Sequence, residues 1–305
     1  MVELAPNSQL SSYLLPSIFD EFSELTGLPR SLTSWPLDQS HSAVGTSDAL
    51  QSNLRIVSRY GPWQWPDRPV VFISDPHADA EGFLRSLAAS GAIQRHGSAP
   101  TAFRLTAFGR AAQIVIGGDC LDKGPSNLDL LDAIAALYAS EADVTLLAGN
   151  HDIRLIVALA ALSHERSALT EHLFVRMARK AVPLLAEVCN RYSVFVTNQR
   201  IPDEAACRAR LLPGQDWSDR FPMAAGPYLC EASIAKEAGK LEQKVNSFEA
   251  AMFQSGLTYR QVYAAALYCQ HLFFAPDGAY RWFYDRMDVL AQTGSILFVH
   301  AGLCD

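Results

Sequence analysis

From Pro69 onward, hydrophobic positions in this 305-residue chain follow two rhythms. One is the short uninterrupted apolar run: Val70-Val71-Phe72-Ile73, Gln113-Ile114-Val115-Ile116, Val144-Thr145-Leu146-Leu147-Ala148 and Ser295-Ile296-Leu297-Phe298-Val299. Runs of this length without alternation predict strands covered on both faces. The other is helical spacing. Phe83, Leu84, Leu87 and Ala88 share a face over Ala80–Ser90. Leu128, Leu131, Ile134 and Leu137 do so over Ser126–Tyr138, with Ser126 placed as N-cap. Gly91–Gly109 predicts a small hairpin or surface excursion. Strands alternating with helices imply right-handed crossovers and a largely parallel α/β sheet.

The texture changes after Ile153. Residues rich in Ala, Leu, Glu and Arg predict helices over Arg154–Leu162, Ala168–Tyr192, Ala232–Gln254, Tyr259–Phe273 and Gly278–Leu290. Ile201–Tyr228, interrupted by prolines and glycines, reads as an irregular connection. Residues 1–65 form an N-terminal extension. Its pattern predicts one amphipathic helix over Ser17–Thr26, a Ser/Thr/Pro/Asp-rich loop from Ser31 to Ser52, and an aromatic turn at Gly61–Pro66.

Composition narrows the function classes. With 49% hydrophobic and 19% charged residues the chain is globular. A net charge of −7 makes nucleic acid and anionic membranes poor partners. None of the six cysteines are spaced C-x-x-C, so no zinc site or disulfide framework is expected, and scattered thiols fit a cytoplasmic location. No signal peptide is visible at Met1-Val2-Glu3-Leu4-Ala5-Pro6, and no apolar stretch is long enough for a membrane helix.

Each predicted strand ends in a polar cluster: Asp75-Pro76-His77, Gly118-Asp119-Cys120-Leu121-Asp122-Lys123-Gly124, Gly149-Asn150-His151-Asp152 and His300-Ala301-Gly302. In open parallel sheets, ligands gather beyond the carboxyl ends of the strands. Asp75, His77, Asp119, Asn150 and His300 together offer mixed nitrogen and oxygen ligands, which suit Mn, Fe or Zn better than calcium. Asp119 stands centrally, and its two oxygens can bridge two cations. Such a pair, about 3.5–4 Å apart, clamps an in-line displacement at phosphorus.

The order Asp-x-His, Gly-Asp-x-x-Asp-x-Gly, Gly-Asn-His-Asp, His-Ala-Gly resembles the calcineurin-like metallophosphoesterases, most closely their phosphoprotein-phosphatase branch and its diadenosine-tetraphosphatase relatives. The matching parts are Val70–Asp79, Ile114–Asp152 and Ser295–Leu303. The resemblance implies a two-sheet α/β sandwich flanked by helices and a catalytic domain over 66–305. It places two divalent metal ions, manganese foremost in vitro, on Asp75, His77 and Asp119 and on Asp119, Asn150 and His300. It makes His151 the general acid, oriented by Asp122, with Lys123 and Asn150 on the substrate. Lys123 stands where the family has arginine. The gap from His151 to His300 exceeds the family's, which implies a helical insertion over about 163–275 able to dock a substrate or partner. The family also has a further metal-binding histidine and an arginine after the last motif, so the chain is expected to be part of a longer protein.

The expected activity is hydrolysis of phosphomonoesters, including phosphoproteins, by a dinuclear-metal hydroxide mechanism. The alternatives are a dinucleoside polyphosphate hydrolase and a catalytically weakened scaffold that works through the helical insert.

Overall fold

The structure, a computed structural model, describes residues 64–193 and 201–302. The expected helix at Ser17–Thr26, the loop at Ser31–Ser52 and the first half of the Gly61–Pro66 turn lie outside these residues.

Strand β1 (Val70–Ile73) leads to helix α1 (Ala80–Ala89), then to an antiparallel hairpin of β2 (Ile93–Arg95) and β3 (Phe103–Leu105). The hairpin expected in Gly91–Gly109 is therefore present. Helix α2 (Ala107–Ala111), β4 (Gln113–Ile116), α3 (Asn127–Ala139), β5 (Asp143–Leu147) and α4 (Asn150–Ala161) follow. A 3₁₀ segment at Val175–Ala181 then runs into α5 (Val182–Tyr192). Next come α6 (Glu204–Leu211), α7 (Trp217–Ala225), α8 (Glu231–Ala238), α9 (Leu241–Gln254), α10 (Tyr259–Phe274) and α11 (Arg281–Asp285). Short strands β6 (Met287–Asp288), β7 (Leu290–Thr293) and β8 (Ile296–Val299) close the described chain.

The main sheet has four parallel strands in the order β1-β4-β5-β6. Central β4 explains why an unalternating run was legible as a strand: Ile114, Val115 and Ile116 are all fully buried. Helix α3 packs its Leu128, Leu131, Ile134 and Leu137 face into the same core. Each such burial contributes about 1.5–3 kcal/mol relative to exposure. Ser126 does stand at the N-cap of α3, but its hydroxyl bonds Ala78, two loops away. The open N–H groups of Asn127 and Leu128 donate instead to Glu187 on α5, at 2.9 and 2.8 Å.

The helical half departs from expectation in four places. Ala168–Tyr192 is not one helix: Pro183 lacks an N–H and stops α5 from extending backwards, and Ala178 turns with φ 52°. Ala232–Gln254 is broken at Gly239 into α8 and α9. Ile201–Tyr228 is not irregular, because Trp217, Phe221 and Ala225 recur at four-residue spacing and bury together, outweighing Pro222 within α7. In Gly278–Leu290 the helix stops at Asp285, and the next residues extend because the edge of β5 offers a ladder to Met287 and Asp288. The fourth apolar run is a strand as expected, but β8 pairs with β7 in a separate two-stranded sheet rather than with the main one. That small sheet meets the main sheet through Phe298 on Phe72, ring centres 5.2 Å apart.

Of the histidines in the helical region, His164 and His271 are exposed. His172 differs. It lies buried between Trp217 and Phe221, with ring centres at 4.8 and 5.0 Å, and its Nδ1 has no hydrogen-bond partner among the described residues. Burial pushes its pKa down to about 4, with Glu237 and Glu171 opposing and Arg176 and Lys244 assisting. The unfolded chain, with an ordinary histidine near 6.5, binds the proton first, so stability falls as pH drops from about 6.5 toward 4. Replacing His172 with phenylalanine keeps the ring contacts and removes this titration. Denaturant melts across that window are expected to show a pH slope shallower in the variant by up to about 1.4 kcal/mol per pH unit. Identical slopes would mean that His172 titrates alike in both states.

Candidate active site

Three polar clusters emerge side by side at the carboxyl ends of β1, β4 and β5. The first two loops prolong the sheet's pairing. The N–H groups of Asp75, His77 and Ala78 donate to the carbonyls of Gly118, Asp119 and Cys120 at 3.2, 2.9 and 2.6 Å. This locks His77 beside Asp119. Both loops run through left-handed backbone: Asp75, His77, Ala78, Asp119, Asp122 and Lys123 all have φ between 43° and 72°. Non-glycine residues there cost on the order of 1–3 kcal/mol each and persist where surrounding structure enforces them. The polar residues among them carry the candidate chemistry, so glycine would relieve the strain only by deleting the functional groups. Glycine appears where a side chain would obstruct: a Cβ on Gly149 would lie 1.9 Å from the Asp119 nitrogen.

Asp152, two residues beyond Asn150, holds the loops in register. Its buried carboxylate accepts from the N–H groups of Cys120, Leu121 and Gly149 at 3.2, 3.0 and 3.2 Å. Burial pushes its pKa up to about 7 against the pull of those hydrogen bonds. The Cys120 thiol between them is raised well above its ordinary value by burial, which leaves it inert as a nucleophile.

Asp119 is central and 3% exposed. Its Oδ1 accepts from the His151 N–H at 2.9 Å and lies 3.3 Å from His300 Nε2. Its Oδ2 lies 3.8 Å from His77 Nε2 and 3.7 Å from His151 Nε2. His300 thus reaches the cluster from the separate β7–β8 sheet. Its Nδ1 lies 2.8 Å from the Gly117 carbonyl. A carbonyl only accepts, so Nδ1 carries the proton and Nε2 presents a lone pair toward Asp119. Asn150 places its amide 3.4 Å from His300 Nε2. Asp75, half exposed, lies 3.8 Å from His77 Nε2.

His151 bonds Asp122 through Nδ1, which leaves Nε2 facing Asp119. Two lysines complete the surroundings. Lys123 Nζ donates to His77 Nε2 at 2.7 Å, and Lys180 Nζ lies 3.2 Å from His151 Nε2. Burial lowers the Lys180 pKa, and the charges of Lys123 and Arg154 add to that against the pull of Asp122 and Asp119.

The donor set fits divalent cations. Two groups, His77–Asp119–His151 and Asp75–Asp119–His300, each bring three ligand atoms within 4.8 Å of one another, and Asp119 belongs to both. His77 Nδ1 and Asp122 Oδ1 are buried without hydrogen-bond partners among the described residues and face each other at 3.6 Å. A carboxylate behind the far nitrogen is the usual support for a metal-ligating imidazole. The sequence-based residues Asp75, His77, Asp119, Asp122, Lys123, Asn150, His151 and His300 are all brought together. Lys180 and the clamp Asp152 are additions. Asp152 has a signal in the sequence, an acid three residues after Gly149 at a helix start. Lys180 has none: it lies in an Arg/Lys-bearing helical stretch and is turned inward at Ala178, an alanine that betrays no turn.

Among the described residues no helix is long and apolar enough to cross a membrane. No curated protein and no solved structure gives a significant match to the chain. Among family models, that of the calcineurin-like phosphoesterases matches residues 68–236, more than half of the chain, and spans the first three polar clusters together with Lys180. With that match and a donor set built around a shared aspartate, the chain belongs to the calcineurin-like phosphoesterase family, whose members hydrolyse phosphoesters with divalent metals.

Proposed function

We propose that the chain hydrolyses phosphomonoesters, phosphoproteins among them, with His151 as the acid that protonates the leaving oxygen. The observation that carries this reading is the pair of ammonium groups, Lys123 and Lys180, placed beside His77 and His151 with no carboxylate in hydrogen-bond contact among the described residues. A monoester presents a doubly charged phosphoryl group, whereas a diester presents a single charge. Two cations beside one reaction centre favour the former by plain electrostatics.

Asp75, His77, Asp119, Asn150 and His300 would hold two divalent cations, which when bound would supply Lewis-acid charge to the phosphoryl oxygens; manganese is our choice for loading. The chain's own residues do the rest. Asp122 fixes the His151 ring through Nδ1, so that Nε2 is the atom that delivers a proton. The ammonium groups of Lys123 and Lys180 meet the phosphoryl charge, as point charges without the bidentate fork of arginine. Lys180 belongs to the helices over 163–275. On this reading those helices are an insertion that brings substrate contacts to the sheet.

The test compares p-nitrophenyl phosphate, bis(p-nitrophenyl) phosphate and diadenosine tetraphosphate with manganese-loaded protein. The monoester is expected to be hydrolysed with kcat/KM at least about tenfold above either alternative, a difference of about 1.4 kcal/mol in transition-state binding. Preference for the dinucleotide would replace this reading with a dinucleoside polyphosphate hydrolase. No turnover of any of the three would favour a binding role.

A further inference from the structure

Beside His151 the surface opens into a cleft of about 570 Å³ that the chemistry described so far does not fill. Its cations come from two distant parts of the chain: Lys123 from the loop after β4, and Arg179 and Lys180 from the 3₁₀ segment before α5. Val182 and Ala251 contribute apolar surface, and Gln254 from the end of α9 an uncharged polar group. Arg179 is exposed, and no carboxylate pairs with it among the described residues. The neighbouring Arg176, by contrast, is bound to Glu237 at 3.0 Å. Arg179 is therefore a forked donor left open in a cleft whose lining includes Lys180, itself 3.2 Å from Nε2 of the proposed acid.

The backbone that places it is strained. Ala178, immediately before Arg179, has φ 52° and ψ −141°, a conformation that belongs to glycine. The turn brings Arg179 and Lys180 round to the cleft instead of continuing the helix. Substrate with a single phosphate would use Lys123 and Lys180, which stand against His77 and His151. Arg179 would have nothing to bind unless the leaving group carries a negative charge of its own.

We infer that Arg179 is the specificity determinant of an anion subsite, which takes a carboxylate flanking the phosphorylated residue of an acidic peptide. The inference rests on the phosphomonoesterase reading and names its substrate class. A peptide suits the cleft because one side is open, with exposed Gln254 and Ser255, and the rest of a chain can leave through it. The lining is cationic and aliphatic, which matches a carboxylate on a short stem. A nucleobase would favour an aromatic face.

The test uses the full chain, manganese-loaded, and phosphoserine and phosphotyrosine peptides made in pairs, flanked by glutamates or by glutamines. Both turnover and binding are read, the latter by fluorescence polarisation with phosphonate analogues of the same peptides. The glutamate peptide is expected to surpass its twin roughly three- to fivefold in kcat/KM and in affinity, the range of an exposed ion pair. The advantage shrinks in added salt. In Arg179→Ala the ratio falls to about one, and in Arg179→Lys most of it returns, since Arg179 is exposed and neither change disturbs the core. Equal use of both twins by the wild type, or a ratio unchanged in Arg179→Ala, overturns the subsite. If p-nitrophenyl phosphate is hydrolysed but no peptide is bound or used, the subsite is wrong and the phosphomonoesterase reading stands. If nothing is hydrolysed, that reading fails, and the polarisation ratio alone decides the subsite.

Discussion

His151→Ala is expected to lower kcat by about 10²–10⁴ on alkyl phosphates, the ordinary contribution of a positioned general acid. On p-nitrophenyl phosphate, whose leaving group needs little help, the loss should be far smaller. The contrast follows from the geometry. Asp122 holds Nδ1, so the ring cannot turn away, and Nε2 points into the space shared with Asp119 and Lys180. On the proposed mechanism, what alanine removes is the proton donor. The backbone N–H of position 151, which holds Asp119 Oδ1 at 2.9 Å, remains in the variant. Plotting the ratio of wild-type to variant rates against leaving-group basicity measures the effect. A flat plot would assign His151 to phosphate or metal binding instead of protonation.

Asp119→Asn is expected to abolish manganese-stimulated turnover on every substrate while leaving the metal-free fold as stable as the wild type, or more stable. Asparagine has the same shape, accepts the same hydrogen bond from the His151 N–H, and tolerates the left-handed backbone at φ 52°. It lacks the charge, and an NH2 donor replaces one of the two acceptor oxygens. In the absence of cations that charge is a liability, since a carboxylate 3% exposed must be desolvated. Those outcomes together would mark Asp119 as a residue that serves metal binding at a cost to folding. Thermal melts in chelator and in manganese separate the two effects. The wild type should gain stability with metal, as any protein does from a ligand bound only to its folded state, and the variant should not. A variant that melts well below the wild type in chelator would make Asp119 a structural residue first.

What the sequence disclosed depended on how local each signal was. Strands β1, β4 and β5 were legible because their burial on both faces leaves an unbroken apolar run, and the loops they feed carry the site. The helical half was less so, because the breaks came from single residues within good helical patterns: Pro183, Gly239, and Ala178 with no signal at all. Helix α7 was obscured in the other direction, by a proline that the burial of Trp217 and Phe221 overrides. The β8 run was correctly a strand, yet its partner could not be read, because pairing is non-local. His300 still arrives at Asp119 from that other sheet. Lys180 and Arg179 depend on tertiary packing and were invisible; Asp152 was visible as a residue but not as the clamp on three backbone donors.

The most direct test of the shared-aspartate site is the manganese stoichiometry of the purified chain, measured by calorimetric titration of chelator-treated protein, wild type beside Asp119→Asn. If Asp119 is common to both groups of ligands, the wild type takes up about two ions per chain and the asparagine variant loses both sites together. A variant that keeps its affinity for either ion would contradict the shared aspartate on which the account is built.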